Sequence, residues 1–188
     1  LIEFKDLFTP RQLVALTTFS DLVAEAREQV YADAVAAGLP DDGVPLREGG
    51  TGARAYAEAV SVYLAFALDR LADRSNSLST WQKVGDKVAH LFARQAIPMV
   101  WDYAESNPFS GSSGNFGGDV EWVARAIEFC RFSDDSCSST ATQGDAAGSL
   151  NIDGWRVLST DPPYYDNVGY ADLADFFYIW LRRSLREV

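Results

Sequence analysis

Residue types that build metal and redox sites are scarce in this sequence. It holds two cysteines, Cys130 and Cys137, and a single histidine, His90. These side chains cannot furnish the four ligands of a structural zinc site, so we expect none. Two cysteines without a secretory signal suit a reduced chain, and we expect a cytoplasmic location. His90 lies in the apolar context Lys-Val-Ala-His-Leu-Phe, which favours a packing role over a catalytic one.

Positive charge and long apolar runs are lacking as well. The chain carries 27 acidic against 16 basic side chains, and its net charge of −11 should repel a phosphate backbone. DNA affinity would need a local basic patch such as Arg182, Arg183 and Arg186, or residues outside this sequence. The same arginines suit a helix C-terminus, where cations complement the helix dipole, and we favour that interpretation. No apolar run approaches the ~18 residues of a membrane span, so we expect no membrane partner.

The residues that are present suffice for one compact, mostly helical unit. With 188 residues, 47% of them hydrophobic, the chain can bury one good core. Apolar residues at three- and four-residue steps predict a long first helix. Thr9 and Gln12 form its capping box, and Gly38 and Pro40 end it. Residues 40–52 are rich in Gly, Pro and Asp and predict a loop.

Further helices are predicted by the same periodicity. A second long helix covers residues 56–71, and a shorter third helix covers residues 81–94. Asp119 is predicted to cap a fourth helix. Its inward face would be formed by Val120, Val123, Ala124 and Ile127. A last helix begins near Tyr170 and carries a wide apolar stripe that needs a partner surface.

Two short runs differ from these helices. Residues 138–142 and 154–160 are β-branched or apolar and are bounded by Gly, Asp and Pro, which is typical of buried strands in an α/β sheet. The predicted organisation is therefore a helical region over residues 1–132, followed by a strand, loop, strand, loop and helix over residues 133–188. Both ends of the sequence are abrupt, and we expect it to be an internal piece of a longer protein.

The most informative segment for chemistry follows the second predicted strand. It consists of Asp161, Pro162, Pro163 and Tyr164. Open α/β folds bind ligands at the carboxyl ends of strands, and consecutive prolines hold a rigid backbone whose carbonyls are free acceptors. The Asp161 carboxylate and the Pro162 carbonyl can each accept one hydrogen of an aromatic amine and aim its lone pair at an activated methyl group. Tyr164 would stack on the extruded base, although an ordinary turn also explains the tetrapeptide.

Two stretches resemble a known family. Residues 160–185 and, upstream, residues 92–109 are similar to the motif-IV region and the middle region of a bacterial and archaeal family of large adenine-specific DNA methylases that contain a zinc ribbon. The resemblance implies transfer of a methyl group from S-adenosylmethionine to the N6 amine of adenine in DNA. It implies an α/β, mostly helical fold: a long-helix insert, akin to a target-recognition region, followed by part of a Rossmann-like methyltransferase sheet.

The resemblance also implies roles for individual residues. Asp161, Pro162, Pro163 and Tyr164 would form the loop that holds the target amine. Asp145, in the sequence Gln-Gly-Asp-Ala, resembles the segment that approaches the cofactor adenine, and an ordinary Gly-Asp turn explains it equally well.

The sequence departs from the family pattern in two places. It has no zinc ribbon and no convincing glycine motif for S-adenosylmethionine. Residues 107–114, Asn-Pro-Phe-Ser-Gly-Ser-Ser-Gly, are similar to the family's cofactor loop, but no apolar strand precedes them, so we interpret them as a surface or DNA-facing loop. The cofactor loop is expected upstream, in the remainder of the methyltransferase chain. The isolated piece should therefore bind the cofactor weakly and be inactive.

Two alternatives stay open. The acceptor of an amino-methyltransferase could instead be a cytosine N4 amine, an RNA adenine or a protein glutamine amide, although Asp at the first motif position favours adenine. Alternatively, the chain is a non-catalytic helical interaction module, with Phe176, Phe177 and Trp180 as its docking face.

Overall fold

In the part of the chain that the structure describes, four α-helices and one β-hairpin make up the architecture. The computed structural model describes residues 3–130, 141, 144–145, 157, 159–162, 168–186 and 188. The helices are α1 (Pro10–Ala36), α2 (Ala53–Ala72), α3 (Phe116–Phe129) and α4 (Tyr170–Ser184), and the hairpin consists of β1 (Trp81–Gln82) and β2 (Lys87–Val88). Short 3-10 turns cover Phe4–Leu7 and Leu46–Glu48. The mostly helical prediction is confirmed for the described residues, and none of their helices combines the length and apolar character needed to cross a bilayer.

Helix α1 begins and ends as its sequence predicts. The Thr9 hydroxyl accepts a hydrogen bond from the Gln12 backbone N–H, and the Gln12 side chain accepts one from the Thr9 N–H at 2.8 Å. This capping box satisfies two donors that the first helical turn leaves open. At the other end Gly38 has a φ of +90°, a left-handed conformation that suits glycine and stops the helix.

The core lies where α1, α2 and α4 meet the N-terminal 3-10 turn. Its buried members are Leu7, Phe8, Leu16, Leu68, Leu71, Ala72, Leu91, Phe176 and Trp180. Helix α4 packs against both α1 and α2, although it belongs to the part of the chain predicted to follow the helical region. Each large apolar side chain buried there contributes ~1.5–3 kcal/mol of transfer free energy, so the core joins distant parts of the chain firmly.

The predicted third helix over residues 81–94 is wrong. Residues 81–88 form the antiparallel hairpin, with Trp81 opposite Val88 and Gln82 opposite Lys87. Gly85 and Asp86 both have positive φ values, +92° and +44°, which a right-handed helix cannot accommodate. The Gly85-Asp86 pair is a turn signal that outweighed the helical spacing.

The cap predicted for α3 is also wrong. The helix begins at Phe116, and the side chain of Asn115 accepts the Gly118 N–H at 2.6 Å. Asp119 therefore lies inside the helix, where it is buried. On the predicted inward face, Val120 and Val123 are half-buried against α2, whereas Ala124 and Ile127 are exposed.

The Rossmann-like sheet is not found among the described residues, whose only strands are β1 and β2. Val157, Ser159 and Thr160 lie in no strand, and Val157 is 98% exposed, so the predicted burial does not hold at that position. The rest of the two predicted strands, apart from Ala141, lies outside the described residues.

Candidate functional site

The loop predicted to hold a target amine is partly described. Asp161 and Pro162 are both exposed, whereas Pro163 and Tyr164 lie outside the described residues. An acceptor oxygen must be reachable to bind a substrate amine, and the exposure of these two residues meets that requirement.

Helix α4, which follows this loop, is fixed to the helical body by its aromatic residues. Phe176 is fully buried, and its ring lies 5.1 Å from that of Phe92 and 5.8 Å from that of Phe8, measured between centroids. Trp180 meets Phe8 edge-on at 5.4 Å. Phe177 is half-buried against the same cluster. The apolar stripe of α4 is therefore occupied within the chain and is not a free docking face.

Polar contacts hold the C-terminal end of α4. The Ser184 and Ser20 hydroxyls lie 2.9 Å apart, and the Arg183 guanidinium donates to the Asp21 carboxylate at 2.7 Å. Arg182 and Arg183 belong to the last turn of the helix, where cations interact favourably with its dipole. One of the three arginines considered for DNA contact is thus engaged with α1.

Asp145, the predicted cofactor contact, is exposed. Residues between Pro10 and Ile127 line four of the cavities in the described part of the chain. Neither Asp145 nor Asp161 lines any of the four.

A polar cavity of about 390 Å³ lies between α1, α2 and their connecting loop. Glu58 is buried in its wall, where it accepts the Leu46 N–H at 2.6 Å and pairs with Arg54 at 3.0 Å. The Tyr31 hydroxyl donates to Asp41 at 2.5 Å. These contacts fasten the loop to the two helices, which is a structural function.

A charged network that the sequence did not reveal joins α2, α3 and the hairpin. His90 Nδ1 lies 2.6 Å from Asp73 Oδ2, and its Nε2 lies 2.8 Å from an Arg74 nitrogen. Because Arg74 can only donate, Nε2 accepts and Nδ1 carries the proton given to Asp73. The prediction that His90 packs in an apolar setting is wrong, because the ring is exposed and fully hydrogen-bonded.

Asp119 connects the same network to α3. Its carboxylate lies 3.3 Å from Arg70 and 3.4 Å from Arg74, and the Arg70 guanidinium also sits 4.9 Å above the Trp122 ring centre. Burial raises the pKa of Asp119, and the two guanidinium groups oppose that shift. These contacts hold α3 against α2. Because both ring nitrogens of His90 are hydrogen-bonded in the same network, neither is free for catalysis.

The segment predicted as a surface loop leads into α3. Gly114 has a φ of +75°, and a Cβ atom there would lie 2.6 Å from the Ser106 Cβ. Asn115 then caps the helix, so the Gly-Ser-rich run makes a tight, specified connection. Ser110, Ser112 and Asn107 bond to one another or to nearby backbone, consistent with a turn-rich exposed loop.

Comparison with known proteins gives no relative: no family model, no curated protein and no solved structure matches the chain. The functional assignment therefore depends on the residues of the motif and on their accessibility.

Proposed function

We propose that this chain is part of an S-adenosylmethionine-dependent DNA adenine-N6 methyltransferase and that Asp161 and Pro162 hold the amine to be methylated. The observation that carries the proposal is the Asp-Pro-Pro-Tyr sequence, with its first two residues exposed. Two accessible acceptor groups are what an amine with two hydrogens requires.

Asp161 would accept one amine hydrogen through its carboxylate, and Pro162 would accept the other through its carbonyl. Two acceptors on the same nitrogen draw it toward a tetrahedral geometry, in which its lone pair is available for reaction. Proline suits this task because its fixed φ limits the motion of the carbonyl. Tyr164 would stack on the extruded adenine.

S-adenosylmethionine would supply an activated methyl group. The sequence has no convincing glycine motif for this cofactor, so the proposal assigns its binding to other parts of the intact protein. The contribution of this chain is to position the target amine. Helix α4 supports that function, since its N-cap, Gly169, lies eight residues after Asp161 and the helix is held by Phe176 and Trp180.

The test compares Asp161→Asn and Asp161→Ala with Asp175→Asn in the intact protein. Asp175 is an exposed aspartate on α4, so its substitution removes the same charge away from the motif. We expect both Asp161 variants to lose methyl transfer to DNA by ~100-fold or more, since a positioning acceptor acts mainly in the transition state. Full activity in Asp161→Ala would exclude the proposed role.

A further inference from the structure

The tip of the β-hairpin projects from a firmly held base. All seven residues from Trp81 to Lys87 are exposed, whereas Val88 and Leu91 are buried. The Val88 N–H donates to the Ser113 hydroxyl at 3.0 Å, and the Ala89 N–H donates to the Thr80 carbonyl at 2.9 Å. An exposed tip on a hydrogen-bonded base presents its side chains to a partner.

The charge of this region differs from that of the rest of the chain. Residues 75–101 contain three basic side chains, Lys83, Lys87 and Arg94, and one acidic side chain, Asp86. The other residues therefore carry 13 basic against 26 acidic side chains, out of totals of 16 and 27. A local excess of positive charge thus lies on a strongly acidic chain.

The cations of the hairpin are also available for a ligand. Among the described residues, Lys83, Lys87 and Arg94 have no carboxylate within ion-pair distance, a property they share only with Arg182 and Arg186. Lys83 directly follows β1, and Lys87 begins β2 opposite Gln82, so both lysines lie on this one short hairpin. Unpaired neighbouring lysines favour a polyanionic partner.

Exposed aromatic rings accompany these cations. Trp81 is 55% exposed at the start of the hairpin, and Trp101 is 99% exposed. The Ala104 N–H donates to the Ser79 carbonyl at 2.8 Å, which brings the chain around Trp101 back to the hairpin base. Three residues of extended chain span at most ~10 Å, so the backbone at Trp101 lies near that base.

We propose that this hairpin contacts DNA, with Lys83 and Lys87 on backbone phosphates and the exposed tryptophans on unstacked bases. Cations interleaved with aromatic rings are the combination that binds strands whose bases have left the duplex stack. The choice of DNA among polyanions rests on the proposed function, which requires an adenine to leave the helix. The charge and exposure of the hairpin stand independently of it.

The test measures binding of the intact protein to a fluorescein-labelled DNA duplex with one unpaired adenine, by anisotropy at several salt concentrations and without cofactor. We expect the double variant Lys83→Ala/Lys87→Ala to bind roughly tenfold more weakly at low salt. The slope of log affinity against log salt should become shallower by ~1.8, since each phosphate contact contributes about 0.9. Lys5→Ala is the matched control, because Lys5 is exposed but paired with Glu3 at 2.5 Å.

Variants of Trp81 test the proposed contact between the exposed tryptophans and unstacked bases. Trp81→Ala should weaken binding to this duplex by about tenfold and binding to a fully paired duplex much less, and Trp81→Phe should restore part of the loss. Unchanged affinity and salt slope in the double lysine variant, or an equal loss in Lys5→Ala, would overturn the proposal. Binding of anionic phosphatidylserine vesicles through these lysines, with DNA binding unaffected, would also overturn it. Because no cofactor is present, these results do not depend on whether the protein methylates DNA.

Discussion

The Phe176 ring stacks on the Phe8 ring, with centroids 5.8 Å apart and 21° between the ring planes. This contact joins the helix that follows the Asp-Pro-Pro-Tyr motif to the N-terminal end of the chain. Phe176→Ala should lower the free energy of unfolding by ~3–5 kcal/mol, because a fully buried aromatic ring leaves a cavity when it is removed. Chemical denaturation measures the change.

Tyr178→Ala is the matched control for that experiment, since Tyr178 lies on the exposed side of the same helix. Its cost should stay within ~0.5 kcal/mol of zero. Equal losses in the two variants would contradict the packing of α4 against the core.

Asp69 makes stability depend on pH. It is 8% exposed, and burial raises the pKa of its carboxyl from 3.8 to about 8. The folded state therefore retains a proton that the unfolded chain loses, so this group's contribution to stability is full below pH 3.8 and is lost as pH rises toward 8. Asp69→Asn should raise the free energy of unfolding at pH 8 by roughly 2–5 kcal/mol.

The measurement is thermal and denaturant unfolding across pH 4 to 8, a window set by the ordinary and the raised pKa. Asp175→Asn serves as the exposed control and corrects for the general effect of removing one negative charge. A parallel pH profile for Asp69→Asn and the unmodified protein would contradict the buried, protonated state of Asp69.

Gly114 is required by its backbone conformation. Alanine there would adopt a φ of +75° and place its Cβ 2.6 Å from the Ser106 Cβ. Gly114→Ala should cost ~1–2 kcal/mol from the left-handed conformation alone, and more from the clash. Gly111→Ala provides the comparison, because a Cβ at Gly111 meets no atom within 4 Å. Melting temperatures of the two variants would decide whether the loop before α3 is built as described.

Removing the N-cap of α1 should have a smaller effect on the free energy of unfolding. Thr9→Ala removes the hydroxyl that accepts the Gln12 N–H and should destabilise the fold by about 1 kcal/mol. Thr18→Ala alters an exposed threonine inside the same helix and should be neutral or slightly stabilising, since alanine is the better helix former. Denaturation midpoints of both variants check the prediction, and no loss in Thr9→Ala would show that the capping box adds nothing.

Local rules predicted α1 from its capping box and periodicity, and α2 from its periodicity. They failed for residues 81–94, where Gly85 and Asp86 impose a turn on a run with helical spacing. They also placed the α3 cap at Asp119, although Asn115 fills that position and Asp119 pairs with Arg70 and Arg74 across helices. Such long-range ion pairs leave no mark on local sequence patterns.

In the candidate site, too, the sequence predicted some features and the structure alone showed others. The motif at Asp161 could be found in the sequence because proline and aspartate have strong local conformational preferences. Its accessibility could be learned only from the structure. The link between His90, Asp73 and Arg74 joins the hairpin to the end of α2. No spacing rule connects residues on different elements, so the sequence suggested an apolar setting for His90 instead.

Identifying the methylated nucleoside tests the proposed function of the protein. The intact protein is incubated with DNA and S-adenosylmethionine carrying a deuterated methyl group, and the DNA is digested to nucleosides for mass spectrometry. We expect labelled N6-methyldeoxyadenosine with the unmodified protein and its loss in Asp161→Asn. No label in deoxyadenosine, or equal labelling in the Asp161→Asn variant, would contradict it.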